Sequence, residues 1–301
     1  MVPGIGMRSP ILKTSEDGKY ISGVVYNGNI YASADYNRSF AAVGSVQNWF
    51  YITMCGTGKY QTAVGPGTYI YVSSDFGANW TTKYYSATWK GVAMSTDGKY
   101  QTASSSTGMY VSSNFGSTWT QTSTASNCVG MAMSASGQIQ ICGVSYNNVL
   151  KSTDYGQNWT STPLGFWTQI AQFAVSADAV YQTFVSYYGT IYVSSNSGAS
   201  WTAKDSGREW TAVSMSLNGK YQVATATYTG PDIYVSEDFG TSWTAKGLSK
   251  SWQGVAVSGT GKYMTATAGV ESLYTSSDFG QTWVAKTGTS NWRAVAINRA
   301  I

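Results

Sequence analysis

Short runs in which apolar and polar residues alternate, separated by glycine-containing turns, extend through the whole 301-residue chain. In one stretch they fall at roughly 89–95, 99–104, 108–113 and 118–122, joined by an Asp-Gly turn, a second Gly-containing turn and the octapeptide Ser112-Ser113-Asn114-Phe115-Gly116-Ser117-Thr118-Trp119. A period of two puts successive side chains on opposite faces of a strand, whereas a helical repeat needs apolar residues three, four and seven apart. Four short antiparallel strands are therefore predicted here.

The unit recurs. Copies of the octapeptide stand at 33–40, 73–80, 112–119, 152–159, 194–201, 236–243 and 276–283. Their third residues, Asp35, Asp75, Asn114, Asp154, Asn196, Asp238 and Asp278, are 40, 39, 40, 42, 42 and 40 residues apart. About 20 residues before each lies a turn of the type Thr96-Asp97-Gly98-Lys99-Tyr100. Before that comes a strand opened by Trp49, Trp89, Trp167, Trp210, Trp252 or Trp292, with Cys128 in the remaining place. A repeat of this period made of four strands predicts an all-β, seven-bladed β-propeller of four-stranded blades, with residues 1–301 as one domain. Residues 292–298 form an eighth copy of the first strand with no blade after it. They are expected to close the ring by completing the blade begun at the N-terminus; the alternative is that residues 11–15 fill that place.

Within the octapeptide, the Asp or Asn oxygen can accept backbone N–H groups of its own turn, and the Gly supplies positive φ, which Asn37 tolerates in the first copy. The closing Trp, or Phe40 in the first copy, is expected in the core. These stretches resemble Asp-boxes, the repeats of bacterial sialidases, sortilin-type receptors, xyloglucan-degrading hydrolases and a photosystem assembly factor. The resemblance covers nearly the whole chain. It implies a β-propeller with structural boxes between third and fourth strands, away from the usual ligand face, and it implies no activity. The near-identical units are also similar in style to uncharacterised repeat proteins of large DNA viruses of amoebae, which implies a virion component.

Composition narrows the chemistry. Charged residues are 11% of the chain and the net charge of +4 is spread thinly, so no nucleic-acid partner is expected. No apolar run is long enough to cross a bilayer and no secretory signal is evident, so a soluble, cytoplasmic or virion-associated chain is expected, without membrane insertion. With no His and three Cys, neither a metal site nor a cofactor is expected. Cys55, Cys128 and Cys142 read as small buried thiols; Cys128 and Cys142 share a hairpin but stand two residues out of opposition.

A sialidase-like site needs a convergent arginine triad, and the chain has only Arg8, Arg38, Arg208, Arg293 and Arg299. For a glycosidase, Asp205, Glu209, Asp232 and Glu271 are the acidic residues on loops of the face opposite the boxes. The first strand of each blade should be innermost, so Trp49, Trp89, Trp167, Trp210, Trp252 and Trp292 either pack as core or surround the channel mouth as a stacking surface. Lys83, Lys204, Lys246 and Lys286 would rim that surface, with Lys90, Arg208, Lys250 and Arg293 nearby. The expected function is a non-catalytic binding or structural module with a protein or glycan partner, the rival being a lectin or glycoside hydrolase.

Overall fold

The computed structural model describes residues 11–286 except 25, 37, 126, 145–147, 167, 188, 228–232, 247–249, 251 and 269–271. The described residues form antiparallel sheets throughout, with no helix long and apolar enough to cross a membrane. Four strands, Ile11–Thr14, Ile21–Val24, Ile30–Ser33 and Ala41–Ala42, make the first sheet. Sheet two consists of Tyr51–Met54, Gln61–Val64, Pro66–Ser73 and the start of Thr81–Met94. The latter part of Thr81–Met94 opens sheet three, which continues through Gln101–Ser105, Met109–Ser112 and Thr120–Ser123. The fourth sheet runs from Cys128–Met133 to Thr160–Pro163, and the fifth and sixth share Thr202–Met215 as the second and third share Thr81–Met94. Trp252–Val257, Met264–Ala268, Ser272–Ser276 and Val284–Lys286 form the seventh. The first strands of successive sheets lie side by side, which makes them the inner layer.

The N-terminal strand Ile11–Thr14 pairs along its length with Ile21–Val24, whose other edge holds Ile30–Ser33. Both edges of Ile21–Val24 are thus taken, and the place expected for residues 292–298 is filled from the N-terminal side. Residues 292–298 lie outside the described residues.

Sheets are stapled to one another at the box end. Backbone N–H groups of Glu16, Gly56, Thr96, Ala135, Ala177 and Leu217 donate to the carbonyls of Gly56, Thr96, Ala135, Ala177, Leu217 and Gly259 respectively, at 2.6–2.9 Å. Each bond joins the first turn of one sheet to the first turn of the next. Deeper in, Thr62, Thr102 and Thr183 donate at 2.5–2.6 Å to the side-chain oxygens of Gln101, Gln140 and Gln222 in the following sheet. All six side chains are fully buried, so these bonds form where water cannot substitute. The rung between the fourth and fifth sheets is broken: Ile141 occupies the Thr position and the Gln182 Oε1 is buried without a partner. Between the sixth and seventh, Val223 and Met264 replace both members, and no polar side-chain atom is left unpaired at that position.

The core repeats a triad. Trp89, Trp210 and Trp252 on the first strands, and Trp49 just before one, meet Tyr110, Tyr234, Tyr274 and Tyr71 of the third strands edge to face, at ring separations of 4.9–5.2 Å. Ala63, Ala103, Ala224 and Ala266 on the second strands leave room for this contact. In the fourth sheet the triad becomes Cys128, Cys142 and Leu150, and the two cysteines are joined as a disulfide. This corrects the expectation of two thiols. The register does put Cys128 opposite Val144, two residues from Cys142, but a bulge at Gly130 (φ 61°) draws the Cα atoms to 5.7 Å. That separation suits a bridge. Cys55 remains a buried thiol.

Candidate functional site

The boxes hold six of the fourteen acidic side chains: Asp35, Asp75, Asp154, Glu237, Asp238 and Asp278. Asp75 Oδ1 accepts the Asn79 N–H and the Ser73 hydroxyl, and its Oδ2 accepts Asn79 Nδ2. Asp35, Asp154, Asp238 and Asp278 are held alike by their own turns. Asn114 and Asn196 use Oδ1 in the same way but turn Nδ2 onto Thr118 and Ser200. The Ser39 hydroxyl on Asp35, and the Thr282 hydroxyl on Asp278, hold those carboxyls at about 2, below the ordinary 3.8. In Asp154 the Asn158 backbone and side-chain donors lower the value. For Asp75 and Asp238 burial works the other way and is outweighed by the hydrogen bonds.

Two box features were not read from the sequence. The residue before the Gly also adopts positive φ, 63° at Phe76 and 60° at Phe115 and Phe279, an uncommon conformation for an aromatic. It is held there by stacking on the preceding sheet: Tyr20 with Phe76, Tyr60 with Phe115, Tyr181 with Phe239 and Tyr221 with Phe279, at 4.3–4.5 Å. Lys19, Lys59, Lys99, Lys220 and Lys262 place their ammonium groups 5.1–5.4 Å from the rings of the following tyrosines, so these turn lysines are cation–π partners. Ile139 and Ser197 interrupt the stack together, and there Lys151 Nζ donates to the Ser197 carbonyl.

The box Trp residues are only partly in the core. Trp119 is buried, Trp80, Trp159, Trp201, Trp243 and Trp283 are half-buried, and Phe40 is 43% exposed, against the expectation of a core role for Phe40. Apart from Trp201, each indole N–H donates to the carbonyl of its own box Gly, a bond that Phe40 cannot make.

Among the described residues the expected stacking surface is not assembled. Trp49, Trp89, Trp210 and Trp252 are at most 1% exposed, drawn between the sheets by their tyrosine partners. Trp167 and Trp292 lie outside the described residues. Lys204 and Lys246 stand on outer strands and reach toward the next sheet's box, with Lys246 Nζ 2.8 Å from Gln281 Oε1. Lys83 is on the corresponding outer strand; Lys286 ends the last one. Lys204 and Lys246 therefore face the box edge rather than a channel mouth.

At the end opposite the boxes, Lys90 Nζ donates to Asn127 Oδ1. The Arg208 guanidinium lies 4.8 Å from the Tyr234 ring centre and 3.8 Å from Asp205, and Glu209 Oε2 accepts the Thr227 hydroxyl. Asp205 and Glu209 are thereby engaged separately rather than as a facing acid/base pair; Asp232 and Glu271 lie outside the described residues. Among the described residues, no group of three His, Cys, Asp or Glu is arranged to hold a metal. Tyr85 is half exposed, yet its hydroxyl is fixed 2.7 Å from that of buried Tyr110, which also bonds Thr107. Tyr187 is 40% exposed on the same end, beside the third-strand hairpin of the fifth sheet.

Sheets radiating from an inner layer of first strands define a β-propeller. A model of the BNR-Asp box repeat matches residues 70–83, 109–122, 233–245 and 273–286. The chain is a β-propeller built of Asp-box repeats. Among solved structures it is similar to the GH74 xyloglucanase from Xanthomonas campestris, at 12% identity and a TM-score of 0.69 over 92% of this chain and 53% of that one, so it spans about half the length of that enzyme. YCF48 from Cyanidioschyzon merolae matches at 16% identity and TM-score 0.64, covering 92% and 95% of the two chains. A YCF48 structure bound to D1 peptide matches at 14% and 0.57, covering 79% and 85%. The Cps50 (Swd1) β-propeller domain of Myceliophteria thermophila matches at 11% and 0.66, covering 87% and 94%. At these identities the likeness is one of fold. No curated protein matches the sequence.

Proposed function

We propose that the chain is a seven-bladed, non-catalytic propeller that binds a protein partner on the face opposite the Asp-boxes. The observation that carries this reading is the contrast between its two ends. At the box end the carboxylates of Asp17, Asp35, Asp75, Asp97, Asp154, Asp178, Asp238 and Asp278 all accept bonds from their own turns. At the other end the units differ most, and exposed Tyr85 is held rigid by a buried neighbour, which suits a contact surface that loses little side-chain freedom on binding. Seven boxes at near-constant spacing support the blade number, and in this reading the first blade is complete without residues 292–298. The YCF48 structure with a bound peptide supports a protein as the partner class.

The test is isolation from the native source at native abundance, with the wild type and a Tyr85→Ala/Tyr187→Ala variant of unchanged melting temperature. A stoichiometric protein partner lost in the variant supports the reading. Saturable binding to a glycan array with no co-isolated protein would replace it with the carbohydrate-binding alternative, which the xyloglucanase likeness favours. The place in a virus particle is tested by the same isolation, through recovery with a large assembly.

A further inference from the structure

Two neighbouring grooves at the outer, box-proximal edge differ in a way that defines a site. Between the sixth and seventh sheets the groove is filled by the protein's own side chains: Lys246 donates to Gln281 Oε1, and Gln281 Nε2 donates to the Glu237 carboxylate. The equivalent positions between the fifth and sixth sheets are Lys204, Thr241 and Ser195. Shortening Gln to Thr and Glu to Ser leaves a cavity of about 300 Å³ against the stacked Tyr181 and Phe239, with Lys204 in its wall. The other polar residues of its wall are Tyr181, Ser195, Ser200, Thr202 and Thr241, and no carboxylate lines it.

The box beside this groove is one of the two with Asn in place of Asp, and that changes the direction of a hydrogen bond. In the sixth sheet the Ser242 hydroxyl donates to Asp238 Oδ2 at 2.6 Å, so its proton is committed inward. In the fifth, Asn196 Nδ2 donates to Ser200 Oγ at 2.9 Å, which leaves the Ser200 proton for the groove. Relative to its neighbour, the groove has lost two carboxylates, kept its cation and gained an outward donor. We propose that it binds a small oxyanion, a carboxylate or phosphate group, held by Lys204 and the surrounding hydroxyls in the role that Glu237 fills one groove further on. A lone ammonium among neutral donors is matched by such a group through charge-assisted hydrogen bonds. The inference is independent of the partner-binding reading, which concerns the opposite face.

The experiment follows the lysine side-chain resonances of the intact protein at constant ionic strength, during titration with inorganic phosphate and, separately, N-acetylglutamate. A saturable shift of the Lys204 signal is expected, with binding weakened at least about tenfold in Lys204→Met, which removes the charged donor. A Ser195→Glu/Thr241→Gln variant, which copies the filled groove, is expected to abolish the response while leaving the fold intact. Response to phosphate alone assigns the site to a free oxyanion, and response to the carboxylate assigns it to an acidic side chain; either supports the proposal. A Lys204 signal that moves no more than those of Lys83 and Lys99, or an undiminished response in the filled variant, overturns it.

Discussion

The buried Thr-to-Gln rungs allow a test of how these sheets are held together. In the intact rung, Thr102 Oγ1 donates to Gln140 Oε1 at 2.5 Å, and Gln140 Nε2 donates to the Gly137 carbonyl at 3.0 Å. Thr102→Val keeps the side-chain shape and removes the donor, leaving Gln140 Oε1 as the Gln182 Oε1 already stands, buried and unsatisfied. Stranding a buried acceptor costs about 1–3 kcal/mol. With an unfolding entropy of ~2.1 cal/mol/K per residue, about 300 residues give ~0.6 kcal/mol/K, so a 2 kcal/mol loss lowers the melting temperature by about 3 °C. Gln140→Met alone strands the Thr102 hydroxyl and the Gly137 carbonyl, at a similar cost. The double variant reproduces the natural Val223 and Met264 pair and strands only the carbonyl, so it should be more stable than the sum of the singles predicts by about 1 kcal/mol or more. Urea unfolding of the four proteins completes the cycle. Strict additivity of the two substitutions, or a Thr102→Val protein indistinguishable from wild type, would refute the account of the rungs.

Further outcomes follow from the boxes, the bridge and the core. Because Asp35 and Asp278 fall from 3.8 to about 2 on folding, their contribution is present above the unfolded value and is lost as pH drops through the folded one. The urea midpoint should therefore decline between about pH 4 and pH 2, with a shallower decline in Asp278→Asn; equal slopes would count against the turn bonds. Reduction of the Cys128–Cys142 bridge, which closes 14 residues, should cost about 3 kcal/mol in a melt. Thiol titration of the unfolded protein should find Cys55 alone before reduction, and three thiols without reductant would remove the bridge. Trp89→Ala or Trp252→Ala should destabilise by about 3–5 kcal/mol as core truncations do, and a near-neutral result would return these indoles to the candidate binding surface.

The architecture was legible because a repeat states the same local chemistry seven times: strand alternation, an Asp-Gly turn and the box each have a mechanism within a few residues. What the sequence concealed are contacts between units. Tyr20 and Phe76 are 56 residues apart, and each alone reads as an ordinary turn aromatic. The disulfide was hidden by a bulge at Gly130, since register counting assumes a regular ladder. Trp89, Trp210 and Trp252 stand on first strands, but their edge-to-face tyrosines lie on third strands, and that pairing carries them inward. Lys204 and Lys246 reach the box edge rather than the opposite face because the direction of a strand says little about where a four-carbon side chain finishes.

The backbone bonds from Glu16 to Gly56 and on to Gly259 all run with the same polarity, each turn donating forward and accepting from behind. A copy of the unit inserted at any junction would find a donor on one side and an acceptor on the other. Such an inner chain of bonds imposes no particular number of members. Gain or loss of a whole unit would then meet no resistance from these bonds, since any further turn of the same kind could both make and receive one.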